Sequence, residues 1–465
     1  MMLLPELSIF CFSVVFLFLS LGEKKSGAIN TAKFLSIIVF AVSLFSIFKQ
    51  GVLFEGAYQI DLFSQFFKII ISCGLCIILL MLDSNKEIED QYLPECIMFL
   101  GFSTLGLMML TSAIELISIV IALEISSYSL YVIVPLRKGQ AKIHLEASVK
   151  YLFFGAISTG IMLYGMSYVY GMTGSTRLTE IMLVLPKFLQ EPMGVFALVL
   201  TLTGFFFKLS LFPMHFWSPD IYEGASNTTT TFIGTIPKIA ATAVIIRLTI
   251  LAASGVNSSF VNFLMILAAV SMTFGNLVGL VQKDLKRLLA YSGIAHAGYL
   301  LLGILALSEE GSSAAMFYIT IYLFMNLAAF YAVILVSKRG ENVTVDDLVG
   351  LSRRAPLLAV TLAVSAFSLA GVPPTGGFTG KLFLFTAAFK EGHLAIVIIG
   401  AVNTAISIFY YLNLVRMSFS KDSESVETMP LAFHEKTVCY VLILLILYLG
   451  IYPYGLLNLL RAAVA

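Results

Sequence analysis

Three lysines lie inside long apolar runs, each close to a proline: Lys208 in FFFKLSLFP, Lys238 in GTIPKIAAT and Lys381 in GVPPTGGFTGKLFLF. A charge at mid-bilayer costs at least ~2.5 kcal/mol on insertion scales, so such residues usually serve ion movement. A helix break beside the charge frees backbone groups to solvate it, and this is tolerated only against a cavity or protein interior. The pattern predicts a path for charge partway across a membrane. Its acid is Glu124, near the middle of IVIALEISSYSLY. A lone buried carboxylate protonates, whereas one beside a lysine stays ionised. Lys208, also near mid-span, is the expected partner; the alternative is a structural ion pair that fixes helix packing. Burial favours a neutral amine and a nearby carboxylate opposes it, so Glu124 would hold a proton on Lys208 and its withdrawal would release it. Lys238 and Lys381 would pass or store that proton, which arginine cannot do.

Other groups carry two readings each. His215 and His296 are candidate relays, because imidazole exchanges protons near neutral pH, or else hydrogen-bonded polar residues. Asp220, Tyr222 and Glu223 in WSPDIYEGA form either a proton vestibule or a loop capping the next helix. Glu115 fits an interfacial or a helix N-terminal role. Snorkelling accounts for Lys68, Lys150 and Arg247, nearer span ends, but poorly for the three deep lysines. Cys73 and Cys76 have metal-like spacing without a second ligand pair, so they read as small buried hydrophobes.

The elements that must position these groups follow from composition. Of 465 residues 59% are hydrophobic and 12% charged, with a mean hydropathy of +0.96. Soluble domains carry roughly 25% charged residues. The fold class is an all-α polytopic membrane protein. A net charge of +1 suggests no nucleic-acid partner. The apolar start lacks a basic region before it and reads as a first span rather than a cleaved signal.

At ~20 apolar residues per span, about 14 spans are predicted, near 3–21, 30–48, 63–82, 94–111, 114–134, 145–170, 193–216, 228–252, 259–281, 288–307, 314–337, 357–389, 394–416 and 437–460. Spans 7 and 12 are Gly/Pro-interrupted, five apart, and each holds a lysine near its break. A unit of five spans is odd, so a second copy must enter from the opposite face, as in inverted-repeat transporters. The predicted division is 1–93 for spans 1–3, 94–256 for the first repeat, 257–420 for the second, and 421–465 for the last span. About 17 lysines and arginines fall in or beside odd-numbered loops, among them Lys24, Lys25, Lys86, Lys286, Lys338, Arg339 and Lys421, against about five in even-numbered loops and the C-terminus. That bias puts odd loops in the cytoplasm and both termini on the periplasmic side.

Four stretches carry a family resemblance: EASVKYLFFGAISTGIMLYG (146–165), FFFKLSLFPMHFWSPDIYEGA (205–225), GNLVGLVQKDLKRLLAYSGIAHAGYLLLG (275–303) and LAGVPPTGGFTGKLFLF (369–385). They resemble the antiporter-like membrane subunits of NADH:quinone oxidoreductase (respiratory complex I), and HFWSPDIYEGA favours the subunit N family among them. The resemblance implies two inverted five-helix bundles with a polar axis at Glu124, Lys208, Lys238 and Lys381. It implies proton translocation driven by quinone reduction elsewhere, in a bacterial plasma membrane. It also implies no cofactor in this chain, with NADH, FMN, iron–sulfur clusters and quinone held by partner subunits. The partners implied are other membrane subunits, including paralogous antiporter-like ones. Ser226 departs from the family, which usually has proline after YEGA; only the loop into span 8 is expected to change. The rival readings are an Mrp-type sodium/proton antiporter without a redox partner and a small-solute transporter.

Overall fold

The computed structural model describes residues 2–22, 27–82, 87–139, 141–252, 258–337, 340–420 and 428–464. Helices dominate: α1 (Leu4–Leu21), α2 (Ala28–Phe45), α3 (Leu62–Met81), α4 (Leu93–Ser112), α5 (Leu116–Ile133), α6 (Ala141–Thr173), α7 (Leu178–Phe188), α8 (Pro192–Leu209), α9 (Trp217–Gly224), α10 (Asn227–Ala252), α11 (Ser258–Gly279), α12 (Leu285–Leu305), α13 (Glu309–Val336), α14 (Leu351–Arg354), α15 (Pro356–Ala370), α16 (Gly376–Lys390), α17 (Leu394–Phe419), α18 (Phe433–Ile451) and α19 (Tyr454–Val464). Prolines open α1, α4, α8 and α15, where a missing N–H costs nothing. Asp61 caps α3 in a reciprocal box with Ser64, and Asp284 and Ser308 cap α12 and α13.

Among the described residues thirteen helices are long and apolar enough to cross a membrane. Predicted span 12 is divided into α15 and α16, 15 residues each, which brings the total to the expected fourteen. Four features differ from the sequence reading. A hairpin, β1 (Gly51–Leu53) with β2 (Tyr58–Ile60), fills the loop after α2; its strands are too short to show a period. Helix α7 was expected to be loop, yet Leu178, Ile181, Met182 and Leu185 form a buried stripe at helical spacing. Span 14 stops at Ile451 because Pro453 cannot continue the ladder, and α19 follows separately. Pro237 breaks nothing: it sits inside continuous α10.

Loop contacts report the sidedness. The isolated β-bridges are Ile88–Arg137, Asp284–Thr344, Tyr58–Ala113 and Glu115–Arg177. The first two join odd-numbered loops to odd, the last two even to even. Loops of the same parity thus lie together, as alternating spans require. Of the basic residues behind the orientation, Lys24, Lys25, Lys86, Lys338, Arg339 and Lys421 lie outside the described residues.

The packing pairs also repeat. Helix α4 packs on α5 and α10, and α6 on α8 and α9; correspondingly α11 packs on α12 and α17, and α13 on α15 and α16. The helices buried on nearly all faces are α3, α10, α12 and α13. Three of these carry the candidate site.

Two of the three residues assigned to snorkelling, Lys68 and Arg247, are held by acids inside the protein. Lys68 is fully buried and paired with Glu6 at 2.6 Å, and Tyr58 also donates to Glu6. Arg247 makes a two-pronged bond to Asp61 at 2.7 and 3.0 Å. Burial works against the Asp61 charge, but Arg247 outweighs it and holds this carboxyl below its usual range. Lys150 bridges Glu146 and Asp220. Removing one partner of a buried pair strands the other, at about 3–5 kcal/mol. Lys68→Met should lower stability by that order in thermal unfolding of the detergent-solubilised protein, and adding Glu6→Gln should restore much of it. No recovery in the double variant would assign the loss to packing.

Candidate functional site

The two interrupted spans end their first halves alike. Helix α8 closes on Ser210 (φ 60°) and α15 on Gly371 (φ 82°). The Ser210 and Leu211 N–H groups return to Phe207 and Phe206; those of Gly371 and Val372 return to Ser368 and Phe367. Both are left-handed helix stops with paired end carbonyls. The Trp217 indole donates to the Phe207 carbonyl at 3.0 Å, and the Phe212 N–H to Ser271 at 3.1 Å. In the second break Gly377 donates to the Ser368 hydroxyl at 3.0 Å. A Cβ on Gly377 would lie 1.8 Å from the Ser368 carbonyl oxygen, so only glycine allows this closure.

Lys381, one turn into α16, is 3% exposed. Its ammonium donates to the carbonyls of Leu369 and Ala370 at 3.0 and 3.3 Å and lies 4.5 Å from the Tyr299 ring centroid. The break thus solvates the lysine, as the sequence suggested. Lys208 precedes its break by two residues, and its Nζ has no hydrogen-bond partner among the described residues. The expected direct pair with Glu124 is not formed. Glu124 is half-buried and accepts from Thr159 at 2.6 Å. It acts on Lys208 through space. Similar depth in two spans did not specify which way the carboxylate turns, and the α6 hydroxyl captures it.

Lys238 is also without a hydrogen-bond partner among the described residues, 5.6 Å from the Tyr322 ring centroid. It borders a cavity of about 10 Å³ with Gly293, His296, Tyr318 and Tyr322, room for about one water. His296 sits between the second and third lysines and feels the charge of both. Its Nδ1 pairs with the Tyr318 hydroxyl at 2.6 Å and its Nε2 with Tyr411 at 3.1 Å; Tyr411 also pairs with Ser292. A neutral imidazole donates at one nitrogen and accepts at the other, and each hydroxyl does both. The chain can therefore reverse its hydrogen bonds as a proton passes.

His215 does not join this group. Its ring packs against Phe212, Phe216 and Phe274, and Nδ1 has no partner among the described residues. Glu115 is the N-cap residue of α5, as expected. Asp220 and Glu223 lie on α9 rather than in a loop, and both accept from Arg287. Ser226 accepts from the Thr229 N–H at 3.1 Å, so this departure from the family adds a cap to α10. The sequence reading missed the tyrosines that frame the axis. Tyr318 and Tyr322 sit four apart with Asn326 next in register, a polar stripe on an otherwise apolar helix.

A family profile described as NADH:quinone oxidoreductase/Mrp antiporter, TM, matches residues 113–407. NADH-quinone oxidoreductase subunit N 2 of Opitutus terrae is 42% identical over 459 residues, covering 97% of this chain and 95% of that one. The chain belongs to the subunit N family of NADH-quinone oxidoreductase. Its fold superimposes on a chain of respiratory complex I from Thermus thermophilus with bound aureothin, at a TM-score of 0.85 and 30% identity, covering 99% of this chain and 100% of that one. A chain of the Mrp complex from Dietzia sp. matches at a TM-score of 0.86 with 18% identity, over 100% and 96% of the two chains. That likeness is one of fold alone. In this subunit N relative, Gly293 bears on the central lysine: a Cβ there would lie 2.8 Å from the Lys238 Nζ. A water peak is expected in the small cavity in a density map that resolves solvent, and Gly293→Ala should remove it.

Proposed function

We propose that the chain is the proton-translocating, non-redox membrane subunit of a complex I type NADH:quinone oxidoreductase. One observation carries this reading: Lys208, Lys238, His296 and Lys381 are all buried, on elements that flank or join the two helix breaks. In this reading Glu124 tunes Lys208 through space, the proton passes by water to Lys238, and His296 with Tyr318 and Tyr411 relays it toward Lys381. Lys381 releases it on the far side. Protons enter near α9 and α10 from the cytoplasm. The termini face the periplasm across a bacterial plasma membrane. The units at 94–256 and 257–420 form the two inverted repeats, flanked by residues 1–93 and 421–465.

Moving one charge against 100 mV requires about 2.3 kcal/mol. The drive therefore comes from partner subunits, which hold NADH, FMN, iron–sulfur clusters and quinone. Neighbouring membrane subunits, including paralogous antiporter-like ones, complete the assembly. Near full-length identity to subunit N favours this over an independent Mrp-type sodium/proton antiporter. In the reconstituted complex, Lys208→Met and Lys381→Met should each lower protons pumped per electron. Glu124→Gln should lower the ratio less, because it keeps an acceptor for Thr159 and removes only a distant charge. An unchanged ratio in Lys208→Met would eliminate that lysine from the path.

A further inference from the structure

A second set of buried charges lies where the odd-numbered loops converge. Glu87, from the segment between α3 and α4, is 8% exposed. Its carboxylate accepts from the Asn227 backbone N–H at 2.6 Å and the Asn227 Nδ2 at 2.7 Å. Asn227 is the first residue of α10, the helix that carries Lys238 eleven residues on. Eleven residues are about three turns, so both positions share one face, about 16 Å apart. Lys286, at the start of α12, is fully buried and donates to the Ala225 carbonyl at 2.8 Å, at the same corner.

Outside this corner lies an open hollow of about 440 Å³, lined by Arg137, His144, Gly340 and Asn342 among others. Gly340 separates it from Glu87: a Cβ on Gly340 would lie 2.8 Å from the Glu87 Cγ. Inward of Glu87, the deeply buried Asn227 Oδ1 has no hydrogen-bond partner among the described residues, and the Tyr222 hydroxyl faces Ser218. Orphaned buried polar atoms point to water. The Tyr222 hydroxyl lies against Gly234, whose carbonyl accepts from Tyr322 at 3.1 Å. The Tyr322 ring lies beneath the Lys238 amine. Polar groups thus lie at both ends of the stretch of α10 between Glu87 and the central lysine.

We propose that Glu87 is the proton-accepting group at the cytoplasmic mouth of this route, with Asn227 and Tyr222 leading inward to Lys238. The inference rests on the translocation reading above. Glu87 takes a proton from water in the hollow, hands it to water at Asn227 Oδ1, and returns to its carboxylate form; no bond but O–H is made or broken. The groups facing it are Asn227 of α10, Lys286 of α12, Arg137 after α5 and the Cys96 thiol of α4. Burial pushes the Glu87 carboxyl up from its ordinary range, and Lys286, Asn227 and Arg137 pull back without cancelling it. Protonation is thereby within reach nearer neutral pH, and rising pH removes it.

The test is proton pumping per electron by the intact complex in membrane vesicles, for Glu87→Gln, Glu87→Asp and Lys238→Met. Glu87→Gln should show the same loss as Lys238→Met, and Glu87→Asp should stay near wild type, since it still titrates. If Glu87→Gln keeps the wild-type ratio while Lys238→Met loses it, Glu87 is no acceptor and the translocation reading stands. If both keep it, the translocation reading itself is wrong. If Glu87→Asp loses more than Glu87→Gln, Glu87 only caps α10 and the inference fails. Should the variants not assemble, a hydrophobic carbodiimide, which attacks protonated carboxyls, decides on the wild-type complex. Labelling of Glu87 should rise as pH falls and suppress pumping; labelling elsewhere alone, with pumping lost, overturns the proposal.

Discussion

In a lipid interior every backbone N–H and C=O has to find a partner inside the protein. That constraint makes an interrupted helix costly unless something nearby takes up the freed groups. Both interruptions here meet it first with left-handed helix stops, at Ser210 and Gly371. They then diverge. In the first, Trp217 and Ser271 serve the loose backbone, and Lys208 has no hydrogen-bond partner among the described residues. In the second, Ser368 closes the gap and the Leu369 and Ala370 carbonyls hold Lys381. Two similar breaks thus give one satisfied amine and one unsatisfied amine.

The middle of the axis uses a different device. Lys238 rests on continuous helix, with an aromatic face, a histidine and space for about one water around it. The order of the groups matters more than any single bond. His296 lies between Lys238 and Lys381 and is bonded at both ring nitrogens to hydroxyls that donate or accept equally well. Such a segment can reverse its hydrogen bonds without large side-chain movement.

Much of this was legible in the sequence. The apolar runs gave the number of spans, and Gly/Pro clusters beside Lys208 and Lys381 marked both interruptions. Pro237 looked the same on paper but sits inside an unbroken helix, because packing on α3 and α13 holds α10 together. The Glu124–Lys208 pair failed for another reason: depth along a span says nothing about which neighbour a carboxylate turns to. The tyrosines went unread because aromatics in membrane helices usually pack. Glu87 and Lys286 were invisible as a pair, since their partners come from segments more than fifty residues away.

Arg137 has a consequence of its own. One guanidinium donates to the carbonyls of Glu223, Ala225 and Gly340 and to the Asn342 side chain. Two of those acceptors come from the corner before α10 and two from the chain after α13. The fork is rigid and planar, so its bonds hold or fail together. It therefore ties the corner before α10 to the chain after α13, and Arg137→Met would leave all four acceptors without this donor at once.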